Sequence, residues 1–403
     1  MRLTPSYIIT TILSLFLFAC HSKSQPAAAL IAHPANGGKF PETAASSANS
    51  PLLYDTSSPQ RREMTAQLDN YYRGQVRAGF NGSVLLGYKG KVIYERYFGV
   101  SNREQKKPLA QNSSCQLASV SKTFTGAAIL YLYEHKYLDI NDLVQKYIKE
   151  FPYPNITLKM LLSHRSGLPD YTKWVPNYTH DMQTPINNEK MIELMARYKP
   201  SLEFTPNRRF KYCNTNFAVL ARVIEKVSDM AYSDFMNKYI FQPLGMSNTF
   251  VYNPAKGLPP NATISYKYNW RRDPDMFADG VYGDKGIYST TEDMYRWDQS
   301  FYQNKLLSND IIELAYGPCS FEKPGIKNYG LGWRMLCYAN GAKIIYHNGW
   351  WHGNNTSFYR FIQENMTIIV LGNKFTNSIY HQAPAIYSII KGVPTEKGFD
   401  TED

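Results

Sequence analysis

Ser119-Val120-Ser121-Lys122 sets a serine and a lysine three residues apart, the spacing that brings two side chains together on one face of a helix. A serine hydroxyl is a weak nucleophile until a neighbouring base takes its proton. A lysine serves as that base once burial or nearby positive charge depresses its pKa. A serine at a helix N-terminus also gains the helix dipole and a free backbone N–H for an oxyanion. The same spacing recurs at Ser320/Lys323 and Ser388/Lys391, but only Ser119 opens a long amphipathic pattern. Tyr212-Cys213-Asn214 adds a phenol that can relay a proton and an amide that can bind a substrate carbonyl while touching the lysine. Tyr-x-Asn also occurs at Tyr153, Tyr302 and Tyr338; Tyr212 differs in standing directly before a helical pattern that starts near Asn216. His347-Asn348-Gly349-Trp350 ends a strand pattern. Its glycine lets a ligand approach the backbone, and an edge strand can pair with a peptide-like substrate.

The elements that must position these residues follow from periodicity. Residues 59–78 carry Met64, Leu68, Tyr71, Tyr72 and Val76 at helical spacing. Ser83–Gly87 and Val92–Tyr94 flank Lys89-Gly90-Lys91, a hairpin signal. Ser119 to about His135 reads as a helix, and the stretch 140–280 as helices and loops, with Asn188–Tyr198 and Asn216–Val227 the clearest. Tyr329–Met335, Lys343–Tyr346, Thr356–Phe361 and Met366–Leu371 read as strands, and 377–391 as a closing helix. Strands early, helices in the middle and strands late imply an α+β fold, in which both chain ends complete one sheet around a helical insertion.

In this order the motifs resemble the serine β-lactamase and penicillin-binding protein superfamily, more narrowly the class C β-lactamases and related DD-peptidases and esterases. The resemblance spans nearly all of 60–390. It includes Leu161-Leu162-Ser163-His164-Arg165-Ser166-Gly167-Leu168-Pro169-Asp170, Phe210–Asn216, Pro243-Leu244-Gly245-Met246, Gly286-Ile287-Tyr288-Ser289-Thr290 and Tyr329-Gly330-Leu331-Gly332-Trp333. It implies an antiparallel sheet flanked by helices beside a largely helical domain, with the site between them. It also implies a residue-by-residue assignment. Ser119 is the acylated nucleophile, Lys122 and Tyr212 share base and acid duty, and Asn214 holds the substrate amide. The backbone N–H groups of Ser119 and Trp350 form the oxyanion hole. His347 replaces the lysine of Lys-Thr-Gly and Asn348 its threonine. A histidine is largely neutral at pH 7, so these departures favour a peptide, D-amino-acid or ester substrate over efficient antibiotic hydrolysis. The expected function is a serine hydrolase acting through an acyl-enzyme on a small amide or ester. The alternatives are a class C-like β-lactamase, a slowly deacylating penicillin-binding sensor or binding protein, and a structural lipoprotein if Trp350 or Trp351 blocks the groove. The chemistry needs no metal or organic cofactor.

Other residues read more plainly. His164 is expected to be a structural hydrogen-bonder. His352 and His347 make no metal pair, since no acidic partner lies near them in sequence. Asp284 and Lys285 read as a surface turn, and Cys213 as a small site residue or a partner for Cys115.

The first 20 residues carry Arg2 and an apolar run ending in Leu17-Phe18-Ala19-Cys20, which is similar to a bacterial lipobox. The organisation expected is a lipoprotein signal peptide over 1–20 with lipidation at Cys20 and a flexible tether over 21–58. A hydrolase domain over 59–395 follows, with a sheet part at about 59–118 and 281–395 and a helical part at about 119–280, and 396–403 is a tail. The domain is expected to be a monomer, lipid-anchored in the bacterial envelope and facing the periplasm, with the choice of membrane open. Composition agrees with a globular chain: 403 residues, 43% hydrophobic and 19% charged. Net charge is +11, but with no basic block of five or six, so a nucleic-acid partner is not expected. Four further cysteines, Cys115, Cys213, Cys319 and Cys337, lack Cys-x-x-Cys spacing, which argues against structural zinc.

Overall fold

The computed structural model describes residues 51–55, 59–179 and 181–393. The lipobox, most of the expected tether and the 396–403 tail lie outside the described residues. The described end of that tether is not free. Val92 N donates to Leu53 O (2.8 Å) and Asp55 N to Val92 O (3.1 Å), so 51–55 pair with a strand edge.

Seven strands form the main sheet: β1 Gly82–Tyr88, β2 Lys91–Phe98, β3 Lys327–Tyr329, β4 Arg334–Cys337, β5 Lys343–Trp351, β6 Asn354–Phe361 and β7 Met366–Gly372. They run antiparallel in the order β2-β1-β7-β6-β5-β4-β3. The first hairpin therefore adds directly to the last strand, with Leu85 opposite Ile369. Lys89 (φ 48°) and Gly90 (φ 78°) form its two-residue turn, whose twist matches the strands.

The main helices are α1 Pro59–Arg77, α2 Ser121–Glu134, α3 Asn188–Tyr198, α4 Asn214–Ser228, α5 Thr291–Tyr302 and α6 Ile379–Lys391. Side chains alternate across a strand, so each strand feeds two cores. Val84, Leu86, Ile368 and Val370 pack with Leu68 and Tyr72 of α1 and Ile379 and Ile386 of α6. Leu85, Ile369 and Leu371 join Phe124 of α2, Phe217 of α4 and Trp297 of α5. With both faces covered, every residue of β7 is buried, which explains its continuous apolar reading.

Three departures from the sequence reading bear on the site. Ser119 does not begin the helix; Ala118–Val120 is a 3-10 turn and α2 starts at Ser121. The helix expected from Asn216 begins at Asn214. The single strand expected over Tyr329–Met335 is two strands, because Gly330 N bonds back to Trp333 O (2.8 Å) and turns the chain.

One buried ion pair ties the sheet to a helix. Arg360 of β6 and Asp298 of α5 are both essentially inaccessible, with Nε donating to Oδ1 at 2.5 Å. Removing one partner of a buried pair strands the other charge, at a cost of about 3–5 kcal/mol. Arg360→Ala is expected to lower unfolding stability by about that much in urea. A loss under about 1 kcal/mol, the scale of a surface pair, would contradict the role given to it.

Candidate active site

The turn carrying Ser119 is held from both sides. Cys115–Gln116 pairs with Ile287–Ser289 in a small three-stranded sheet, and Leu117 N donates to Ile287 O (2.8 Å). From the main sheet, Thr356 Oγ1 of β6 donates to Leu117 O (2.8 Å). Ala118 then takes φ 48°, a conformation uncommon for a residue with a Cβ, and this sharp turn leaves Ser119 half-buried at the protein surface.

Lys122, one turn further along, is completely buried. Its Nζ lies 3.1 Å from Ser119 Oγ, 2.8 Å from Asn214 Oδ1 and 2.8 Å from the backbone carbonyl of Asp284. Burial pulls its pKa from 10.5 down to about 8; Asp284 and Asp170 resist that shift, and Arg334 adds to it. The three contacts suit either protonation state. An ammonium donates to all three oxygens, whereas a neutral amine donates to the amide and the carbonyl and accepts the Ser119 proton.

Asn214 is itself oriented. Its Nδ2 and its backbone N both lie 3.0 Å from Asp170 Oδ2, which leaves Oδ1 facing the lysine. Asp170 uses its other oxygen to cap the short helix Tyr171–Trp174. The expectation that Asn214 holds a substrate amide must therefore share Nδ2 with Asp170. Tyr212 is half-buried, with its ring 4.9 Å from Lys122 Nζ.

β5 meets this cluster edge-on. Its pairing with β4 ends at Tyr346–Arg334, so from His347 to Trp351 only the β6 side is paired. Gly349 sits directly against the Ser119 turn. A Cβ there would lie 2.4 Å from both Leu117 O and Thr356 Oγ1 and 3.0 Å from Ser119 N. Tyr380 Oη of α6 donates to Gly349 O (3.2 Å) and fixes the strand from behind.

The remaining motif residues divide. His347 is completely buried, its ring 6.2 Å from that of Tyr212. Nδ1 lies 2.7 Å from Asn348 O and Nε2 3.3 Å from Tyr329 Oη. Burial, with Arg334 and Lys122 adding to it, holds His347 neutral, so it brings no charge to the site. Asn348 is not brought to Ser119. Alternation along β5 sets it on the Tyr346 side, opposite Ser357, with both amide atoms sealed from solvent and without a partner among the described residues. Trp350 is 61% exposed beside the strand edge, its ring 5.7 Å from that of Phe375.

Sequence reasoning missed four contributors: Asp170, the Asp284 carbonyl, Arg334 and Asp279. Arg334 directly follows the Tyr329–Trp333 segment, and its guanidinium lies 5.0 Å over the Tyr212 ring. Asp284 and Lys285 are not a surface turn; both are buried, with Tyr171 Oη bonding Asp284 Oδ2 (3.1 Å) and touching Lys285 Nζ. His352 does have acidic neighbours: Asp279, at 2.9 Å, and Asp273, at 3.7 Å, reach it from distant sequence. His164 is a buried acceptor for Cys213 N (3.2 Å) and Asn216 Nδ2 (3.0 Å), and its ring packs 4.4 Å from that of Tyr212. The four described cysteines are all free; Cys115 bonds weakly to Gly372 O and Cys213 to Leu168 O.

Comparison with known proteins shows the family. Residues 68–387 match the β-lactamase family model. Penicillin-binding protein 4* of Bacillus subtilis is 35% identical over 321 residues, covering 75% of this chain and 70% of that protein. A D-aminopeptidase of Brucella anthropi is 26% identical over 326 residues, covering 79% of this chain but 61% of the enzyme. Among solved structures, D-amino acid amidase from Ochrobactrum anthropi SV3 superposes with a TM-score of 0.67 at 18% identity, over 83% of this chain and 98% of that one. The α+β fold is thus the one expected.

The site makes one geometric demand that a single methyl group tests. Gly349→Ala should push β5 off the Ser119 turn, lower the melting temperature because the clash is with backbone, and lower turnover about a hundredfold or more in enzyme still folded at the assay temperature. Wild-type turnover in that variant would mean the strand does not set the nucleophile's position.

Proposed function

Because the chain belongs to the β-lactamase family of serine hydrolases, we propose that Ser119 is its nucleophile and that it acts on small amides or esters, of the D-amino-acid or D-alanyl peptide type. The carrying observation is the fully buried Lys122, whose Nζ lies 3.1 Å from the Oγ of the half-buried Ser119. Ser119 Oγ attacks the carbonyl carbon as its proton passes to Lys122. The oxyanion accepts hydrogen bonds from the Ser119 and Trp350 backbone N–H groups. The leaving amine or alcohol takes the proton back, through Lys122 or Tyr212; a water then gives a proton to the same base as it attacks the acyl carbon, the bond to Ser119 Oγ breaks, the carboxylic acid leaves and the proton returns to Oγ.

The names of the relatives support the substrate class, since they include a D-aminopeptidase and a penicillin-binding protein. Charge placement supports it further. With His347 neutral, the nearest fixed cation is Arg334, half-buried above Tyr212. A peptide or acyl chain bearing a carboxylate places its charge there, in the role a lysine has in Lys-Thr-Gly relatives.

Intact-protein mass spectrometry with a penicillin, beside turnover of a D-alanyl ester and a D-alanyl-D-alanine peptide, tests the assignment. A covalent adduct or substrate turnover is expected in the wild type. Ser119→Ala should lack the adduct and lose about a thousandfold or more in rate. Arg334→Ala should raise KM for the carboxylate-bearing peptide about tenfold while sparing the ester. Turnover by Ser119→Ala at the wild-type rate would overturn the mechanism.

A further inference from the structure

The tip of the β5–β6 hairpin holds a residue in an expensive conformation. His352 sits in the two-residue turn between Trp351 and Asn354 with φ 51°, the left-handed region that glycine occupies without strain. The following residue, Gly353, is pressed against the Tyr266 backbone and its N donates to Ser265 Oγ (2.8 Å). A strained non-glycine residue persists where surrounding contacts over-determine it, and such residues gather at functional sites.

The contacts that hold it converge on one carboxylate. Asp279 is 5% exposed, in the 3-10 turn Phe277–Gly280. Trp351 Nε1 donates to its Oδ1 at 2.6 Å, and His352 Nε2 lies 2.9 Å from its Oδ2. Met276 N also donates to Oδ2, at 2.6 Å. Trp350 Nε1 in turn donates to His352 O at 2.9 Å. Both oxygens of Asp279 are thus occupied by N–H donors, which makes a clamp and not an open cation site, although Asp275, Asp279 and His352 stand close enough to share an ion. The Trp351 ring lies 4.6 Å from Lys285 Nζ, so the hairpin also rests on the residue after Asp284.

We propose that Asp279 and His352 are positioning residues for the oxyanion hole, fixing the hairpin that carries the Trp350 N–H relative to Ser119. This inference rests on the oxyanion assignment above. The same stretch of chain, 273–285, supplies Asp279 to the hairpin and the Asp284 carbonyl to Lys122. One loop therefore sets both the base and the oxyanion donor. Burial pushes the Asp279 carboxyl up, but His352, Lys285 and the Met276 N–H together outweigh it and hold it below the usual range; burial pulls His352 down, and the carboxylates of Asp279, Asp273 and Asp275 raise it in net.

His352→Gly separates the side chain from the backbone conformation, because glycine adopts the same φ without strain. The variant is expected to melt lower, because the buried Asp279 loses its charged partner, and to remain folded at the assay temperature. Its kcat on a D-alanyl ester should fall about tenfold or more at little changed KM, since an oxyanion donor acts mainly in the transition state. Affinity for an arylboronic acid, whose tetrahedral serine adduct places an oxygen in the same hole, should fall by a similar factor. Asp279→Asn, which keeps the shape but not the charge, should show the same pattern, weaker. With Ser119→Ala inactive, a His352→Gly enzyme of wild-type kcat and boronate affinity would overturn the clamp alone. Turnover by Ser119→Ala would overturn the site reading itself.

Discussion

The structure turns on the burial of one amine. Water stabilises an ammonium strongly, so a lysine withdrawn from it loses part of its hold on the proton. Lys122 is withdrawn completely, between the helical region and the sheet, and the groups around it compensate only in part. Its contacts are two neutral oxygens and the serine, not a carboxylate. Asp170 stands behind Asn214, and Asp284 offers its backbone carbonyl while its carboxylate turns to Tyr171. The negative charge is kept one group away. A direct ion pair would hold the lysine charged; this arrangement leaves it able to give and take the Ser119 proton near neutral pH.

The rest of the fold brings the Ser119 turn, the Tyr212–Asn214 segment and a strand edge into register with that lysine. The turn is fastened to the small sheet by Leu117 N and to β6 by Thr356. Gly349 allows β5 to come flush against it. α1 and α6 cover the far face and stiffen the sheet, and Tyr380 of α6 fixes the Gly349 carbonyl. The residues of the candidate site thus come from three separated segments: Ser119 and Lys122, Tyr212 and Asn214, and the free edge of β5.

Much of this was legible in the sequence where the signal is local. Ser119 and Lys122 meet because helical spacing makes them meet, and the strand and helix patterns at both ends imply the shared sheet. What was not legible depends on contact across the fold. No spacing links Asp170 to Asn214, or Asp279 to His352, and the latter made an isolated-looking histidine a clamp. Asp284 and Lys285 looked like a turn because a polar pair beside a glycine usually is one; burial against Tyr171 reverses the reading. The face that Asn348 takes is set by strand alternation, which puts it on the Tyr346 side of β5. Strands of two or three residues, such as Ile287–Ser289, carry no periodicity at all, yet one of them anchors the nucleophile turn.

The central claim concerns the protonation of a single amine, and NMR of protein carrying lysine labelled at Cε reads it directly. The resonance absent from a Lys122→Arg variant should titrate with a midpoint of about 8, and hydrolysis should rise with pH over the same range as the neutral amine accumulates. A Lys122 resonance that stays charged up to about pH 10, like a free lysine, would contradict the account.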